Sequence, residues 1–187
     1  MDPKIRAAIE KSATDKKHDT PDEVEIFDYI YGVLHCPAYR ETYSEFLKID
    51  FPRVPYPSSP KSFWEISEKG TELRKLHLME SDAIGETDHP FLGEGLPIIE
   101  KLSFEATSKT HGIIRINKTH HFENVPKLAW EFYVGGYQPA QKWLGDRKGT
   151  EYNDGKGLDY NDIRHYQDIL KILSETDRIM KTIEMDL

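Results

Sequence analysis

The hydrophobic pattern along the chain begins in earnest after residue 20. Ile26, Phe27, Ile30, Val33 and Leu34 recur at helical spacing and predict a first amphipathic helix. Thr20-Pro21-Asp22-Glu23 precedes it. Thr20 suits the N-cap, Pro21 the first helical position, and Glu23 would complete a capping box three residues on. Pro37 ends this helix, and Tyr39, Tyr43, Phe46 and Leu47 mark a second. Residues 51–60 contain four prolines, so they predict an extended connector rather than regular structure. A third helix is expected over 60–80, with Phe63, Trp64, Ile66, Leu73, Leu76 and Leu78 on its apolar side and Gly70 as a tolerated weak point.

Residues 81–97 are rich in Gly, Asp and Pro and read as a loop. The period then shortens. Residues 98–106 alternate in part, and 112–117 (GIIRIN) form a short β-branched run. The intervening Lys109-Thr110-His111-Gly112 predicts a hairpin. Residues 125–133 read as a helix with Pro126 in its first turn, ended by Gly135-Gly136. A short helix follows over 139–144, and 145–157 is a polar, glycine-rich loop. Tyr166, Ile169, Leu170, Leu173, Met180 and Ile183 predict a long final helix over 159–184, capped by Asp159 or Asn161. It would span roughly 40 Å. The expected class is α+β: a helical N-terminal part, a small central mostly antiparallel sheet and a long C-terminal helix. Residues 1–20 read as a flexible lead-in or linker end, with a short helix open to 3–13, and 21–187 as a single domain.

Size agrees with one domain able to bury a core: the chain has 187 residues, 37% hydrophobic and 31% charged. One cysteine, Cys36, excludes an internal disulfide and fits a reducing cytoplasm. The N-terminal segment lacks the apolar run of a secretory signal, and no stretch approaches the ~20 apolar residues of a membrane span. The expected location is cytoplasmic, with no membrane partner.

Charge changes the picture most. The net charge is −8, which counts against nucleic-acid binding because phosphates need local positive charge. Residues 109–149 run the other way, with seven Lys and Arg against three Asp and Glu. A basic patch on an acidic body can bind DNA while limiting non-specific adhesion.

Motifs for chemistry are absent. No glycine-rich strand–helix turn would bind S-adenosylmethionine, since Gly93-Glu94-Gly95 follows no strand. There is no GxxxxGK[ST] phosphate loop and no GxSxG nucleophile turn. Glu100, Lys101 and Glu105 do not form the acidic cluster and Glu/Asp-x-Lys strand of a nuclease. His120 and His121 are adjacent, so on a strand they face opposite ways and cannot share one ion. His35-Cys36 has the same limitation. The chain is therefore expected to be non-catalytic, with no metal and no cofactor.

Four long segments carry a resemblance. They are IFDYIYGVLHCPAYRETYSEFLKIDFPRVPYP (26–57), FWEISEKGTELRKLHLME (63–80), RINKTHHFENVPKLAWEFYVGGYQPAQKWLGDRKG (115–149) and YNDIRHYQDILKILSETDRIM (160–180). Together they resemble the C-terminal target-recognition domain of Type ISP restriction–modification enzymes, over nearly everything after residue 20. The resemblance implies a module that reads a DNA sequence for the methyltransferase and nuclease of a larger polypeptide. Its implied partners are duplex DNA and the parent's methyltransferase domain. Residues 81–110 resemble the family least, in a region where target choice could vary.

The basic 109–149 segment supplies the candidate contacts. Arg115, Asn117 and Lys118 end a predicted strand, and Arg and Asn can pair with guanine and adenine in the major groove. Gln138, Gln141 and Lys142 flank the GGYQPAQKW turn. Arg147 and Lys148 suit phosphates, and Lys109 and His111 sit in the hairpin. Trp130, Phe132, Tyr133, Tyr137 and Trp143 are expected in the core, as are Tyr29, Tyr31, Tyr39 and Tyr43 between two helices. The alternative is a docking domain that positions catalytic parts and hardly touches bases, which the acidic total and the long final helix favour.

Overall fold

The computed structural model of the protein describes residues 2–185. Its contacts group into two compact units, Met1–Ala83 with Thr176–Leu187, and Ile84–Glu175, where the sequence reading drew one domain over 21–187. The α+β class holds.

The first unit is helical. Helix α1 (Pro3–Ala13) is capped by the Asp2 carboxylate. It buries Ile9 and Ala13, and the Trp64 indole donates to the Ala13 carbonyl at 3.0 Å. The short helix left open over 3–13 thus forms, and it is packed. Helix α2 (Glu23–His35) starts two residues later than expected. Asp22, not Thr20, is the N-cap; its carboxylate accepts from the Glu25 amide and the Glu25 carboxylate from the Asp22 amide, both at 2.8 Å. A carboxylate cap also complements the positive end of the helix dipole more strongly than a hydroxyl.

Helix α3 (Pro37–Thr42) stops early, and one 3-10 turn (Phe46–Lys48) follows where a longer helix was expected. The proline connector is pinned by two tyrosines: Tyr29 and Tyr39 donate to the Pro55 and Arg53 carbonyls at 3.0 and 3.1 Å. Helix α4 (Pro60–His77) is capped by Ser59 and packs along α2. Gly70 lies where a Cβ would come within 1.8 Å of the Asp28 carbonyl oxygen, so its missing side chain is what permits the close crossing. Asp28 is buried at 1% exposure beside that crossing. It accepts two bonds from Arg74, at 2.6 and 3.0 Å, and one from Thr71 at 2.7 Å.

The second unit holds the sheet. After α5 (Ser81–Ile84), β1 (Phe91–Leu92), β2 (Ser103–Ala106), β3 (His111–Arg115) and β4 (His121–Pro126) pair antiparallel in the order β1-β4-β3-β2. The expected β2–β3 hairpin forms. Strand β4 was not expected: its last two residues, Val125 and Pro126, read as the start of a helix over 125–133, of which only α6 (Lys127–Glu131) is helical. Helix α7 (Pro139–Gly145) follows. Helix α8 (Tyr160–Met180) is capped by reciprocal Asp159–Asp162 bonds at 2.9 and 3.0 Å and ends four residues short of expectation.

Alternation along β3 buries Ile114, and a register shift in β4, with Asn124 at φ +50, brings Val125 to the same buried side as Phe122; beneath the sheet the three meet Ala140, Leu144, Tyr166 and Leu170. Tyr166, fully buried, donates to the Ala140 carbonyl at 3.1 Å. Trp130, Phe132 and Trp143 pack against this core as expected. Tyr133 and Tyr137 do not: they are 62% and 49% exposed around the Gly135-Gly136 turn.

Candidate nucleic-acid interface

The ten candidate residues all lie in the second unit, but the fold distributes them over three places. The first is the hairpin end of the sheet. Thr107 and Ser108 amides both donate to the His111 carbonyl at 3.0 Å, closing the turn. Lys109 is exposed at its tip, and the His111 ring nitrogen lies 3.0 Å from the Thr110 hydroxyl.

The second place is α7 and the turn after it. Gln138 caps the helix through its backbone alone. The Gln141 amide donates to the Trp130 carbonyl at 3.1 Å, tying α7 to α6. Lys142 pairs with Asp146 at 2.8 Å. The Arg147 guanidinium lies 3.6 Å over the Trp143 ring, donates to the Trp143 carbonyl at 3.1 Å and stands 3.5 Å from Asp162. Tyr152 donates to the same Asp162 carboxylate at 2.8 Å. Burial first, then this bond, raises the Tyr152 phenol above its usual pKa. Arg147 is thereby clamped against α7 and α8.

The third place is the opposite end of the sheet, where several loops meet. Asn117 builds it. Its side-chain oxygen accepts from the Thr119 and His120 amides at 2.9 and 2.7 Å, and its nitrogen donates to the Ile98 carbonyl at 2.9 Å. An Asn so committed shapes a turn and has little left for a base edge. Lys118 stands exposed at the tip of this turn. Thr119 donates to the Glu94 carbonyl at 3.2 Å. Gly93, at φ +151, sits where a Cβ would strike the His120 ring at 2.4 Å. Lys148 bridges Ile99 in parallel, with the Gly149 amide on the Ile99 carbonyl at 3.0 Å, and the Leu158 amide donates to the Pro97 carbonyl at 3.1 Å.

Arg115 lies between these places, on the outer sheet face. It pairs with Glu105 of the neighbouring strand at 2.7 Å, both partly exposed. Glu105 and Asp162 lie outside 109–149 in sequence, so the local positive excess read along the chain is partly cancelled in space. Only the period-2 placement of Glu105 and Arg115 on one face of paired strands could have signalled the first of these.

His120 is 3% exposed and stacks on Phe91 at 5.6 Å, while His121 lies on the other face, 3.2 Å from Glu123. Burial lowers the His120 pKa. Among the described residues no three His, Cys, Asp or Glu side chains form a group able to hold a metal ion, and no helix is long and apolar enough to cross a membrane.

A family model described as the Type ISP C-terminal specificity domain matches residues 1–182. No curated protein matches the sequence. Among solved structures, the fold is similar to a nuclease-deletion mutant of the Type ISP restriction–modification enzyme LlaGI in complex with a DNA substrate mimic (TM-score 0.65, 22% identity, 90% of this chain and 17% of that one). It is also similar to the ATP-dependent Type ISP enzyme LlaBIII bound to DNA (TM-score 0.65, 19% identity, 90% and 12%). The DrdV–DNA complex gives a TM-score of 0.70 at 21% identity, over 97% of this chain and 20% of that one. The chain thus spans between about an eighth and a fifth of the length of these neighbours.

Proposed function

The chain belongs to the family of Type ISP C-terminal specificity domains, and from that premise we propose that it reads duplex DNA sequence for the methyltransferase and nuclease parts of a longer, cytoplasmic restriction–modification polypeptide. Family membership across residues 1–182 carries this reading. The module itself performs no catalysis and needs no cofactor; its work is to hold donors and cations against one stretch of duplex.

Of the ten candidates, those with uncommitted groups are the better direct contacts. Lys118 and Lys148 offer exposed ammonium groups at the loop end, and Lys109 and His111 flank the hairpin. Arg115, Lys142 and Arg147 each have a carboxylate beside them that opposes an incoming phosphate. Asn117 and Gln141 act indirectly, by fixing the backbone that carries their neighbours.

Selection of bound duplexes from a randomised pool at two salt concentrations tests the reading. The expected result is enrichment of one short motif, with weaker retention by Lys118→Gln/Lys148→Gln. Retention of no duplex at low salt would refute it.

A docking role has a structural observation in its favour, beside the acidic total and the long final helix. Phe46, Ile49, Phe51 and Tyr56 stand 66%, 82%, 89% and 55% exposed in the first unit. Loss of motif selection with retained assembly into the longer polypeptide would favour that role instead.

A further inference from the structure

The second unit contains eleven Lys and Arg side chains, and ion pairing sorts them. Arg115, Lys127, Lys142, Arg147 and Lys171 each lie within 3.6 Å of a carboxylate. Among the described residues, Lys101, Lys109, Lys118, Lys148, Lys156 and Arg164 form no such pair. Four of these six lie on the loops that meet at one end of the sheet.

Backbone hydrogen bonds fix that convergence. The Lys101 amide donates to the Ile116 carbonyl at 3.3 Å, which places Lys101 beside the turn that carries Lys118. Lys148 is the bridge partner of Ile99, two residues before Lys101. Lys156 lies two residues before Leu158, whose amide is held by Pro97. Asn117 locks the 98 and 117–120 segments together through Ile98. Lys101, Lys118, Lys148 and Lys156 are all exposed. Lys109 stands at the other end of the sheet, and Arg164 lies on α8, where its first interaction is with the Tyr160 phenol.

We propose that Lys101, Lys118, Lys148 and Lys156 form one phosphate-gripping surface, which adds Lys101 and Lys156 to the DNA contacts. The inference rests on the DNA-reading function above and says which end of the sheet meets the backbone. An unpaired ammonium on a hydrogen-bonded loop can neutralise a phosphate with its full charge, whereas each paired cation brings a carboxylate whose charge offsets its own and repels the phosphate. Glu94, Glu100, Glu151 and Asp154 share these loops, so the surface is not a uniform positive field. The grip therefore comes from close individual contacts, and its signature is counterion release rather than long-range steering.

The test is fluorescence anisotropy of a labelled 30-base-pair duplex with the 187-residue chain, across a series of potassium chloride concentrations. Each phosphate neutralised contributes about −0.9 to the slope of log K against log salt. The Lys101→Gln/Lys156→Gln variant is expected to lower the magnitude of that slope by about 1.8, two contacts at about 0.9 each. Lys127→Gln/Arg164→Gln, which removes two cations of the second unit outside the proposed surface and outside the ten candidates, is the reference. Circular dichroism melting of all variants confirms folding. If the parent chain binds with a steep slope and both double variants leave it equally unchanged, this assignment is overturned while DNA reading stands. If the parent chain binds no duplex at low salt, the DNA-reading function itself fails.

Discussion

Gly70→Ala tests the account of how the first unit packs, because two effects of opposite sign compete there. In an exposed helix interior the change stabilises by about 1 kcal/mol, since alanine is the better helix former. Here the new Cβ would lie 1.8 Å from the Asp28 carbonyl oxygen and 2.5 Å from its carbonyl carbon. Both are backbone atoms, so no rotamer change relieves the overlap; α2 and α4 must separate. Overpacking of this kind costs about 1–3 kcal/mol and sometimes more, and the separation also stretches the buried Arg74–Asp28 bonds. With both clashing atoms in the backbone, the cost falls toward the upper end of that range; less the ~1 kcal/mol propensity gain, the net expectation is destabilisation by about 1–2 kcal/mol, or a melting-point drop of roughly 2–8 °C for a chain of this size. Gly145→Ala, in the second unit and followed by whole-chain circular dichroism, is the contrast: no atom lies within 4 Å of its would-be Cβ, so it should be neutral or slightly stabilising. Because the chain forms two compact units, unfolding is best followed in a Trp130→Phe/Trp143→Phe background, where Trp64 reports on the first unit alone. Equal or greater stability of Gly70→Ala in that assay would refute the close-crossing argument.

Two further outcomes follow from the same unit. Asp28→Asn removes the charge that Arg74 and Thr71 converge on; because Arg74 keeps partial access to water, the loss should fall near or below the low end of the ~3–5 kcal/mol typical of a broken buried pair, and a urea midpoint indistinguishable from the parent would count against it. His77 bonds Tyr31 and Thr176 through its two ring nitrogens, at 2.7 and 2.8 Å, and burial first, then the nearby His35, holds its pKa at about 4. The unfolded chain takes up that proton near pH 6.5, so between about 6.5 and 4 the unfolded state binds more protons and stability falls as pH falls. His77→Gln should flatten the decline in urea midpoint between pH 7 and pH 5; an identical decline in variant and parent would contradict this.

The parts of the fold that were legible in the sequence are those where one local signal dominates. The apolar faces of α2, α4 and α8 recur at helical spacing, and the β2–β3 hairpin is bracketed by β-branched runs and a polar turn. Where tertiary contacts decide, the pattern misleads. His121–Pro126 carries one apolar residue at each of two inward positions, Phe122 and Val125, and Pro126 imitates a helix start. The strand exists because β3 offers its edge on one side and β1 on the other. Gly70 makes the same point: helix propensity marks it as a weakness, and only the neighbouring helix shows that a side chain has no room.

The candidate site was legible as a region and not as a set of roles, for an electrostatic reason. Charge counted along 109–149 treats the segment as if its neighbours were its sequence neighbours. In the sheet, Arg115 faces Glu105 from the adjacent strand, and Arg147 faces Asp162 from α8. Both acids fall outside the segment, so two cations counted as available are already balanced. The converse also holds. Lys101 and Lys156 fall outside the segment and were not counted, yet the backbone bonds of Ile116 and Pro97 bring their loops to the end that carries Lys118. Asn117, chosen as a base reader for its chemistry, spends that chemistry on the Thr119 and His120 amides and the Ile98 carbonyl. Its substitution should weaken DNA binding only through disorder of the loop end. Asn117→Asp, which keeps the acceptor and loses the bond to Ile98, should then retain more of the turn than Asn117→Ala. A base reader would show the opposite priority, a change of the selected motif at one position with the fold untouched.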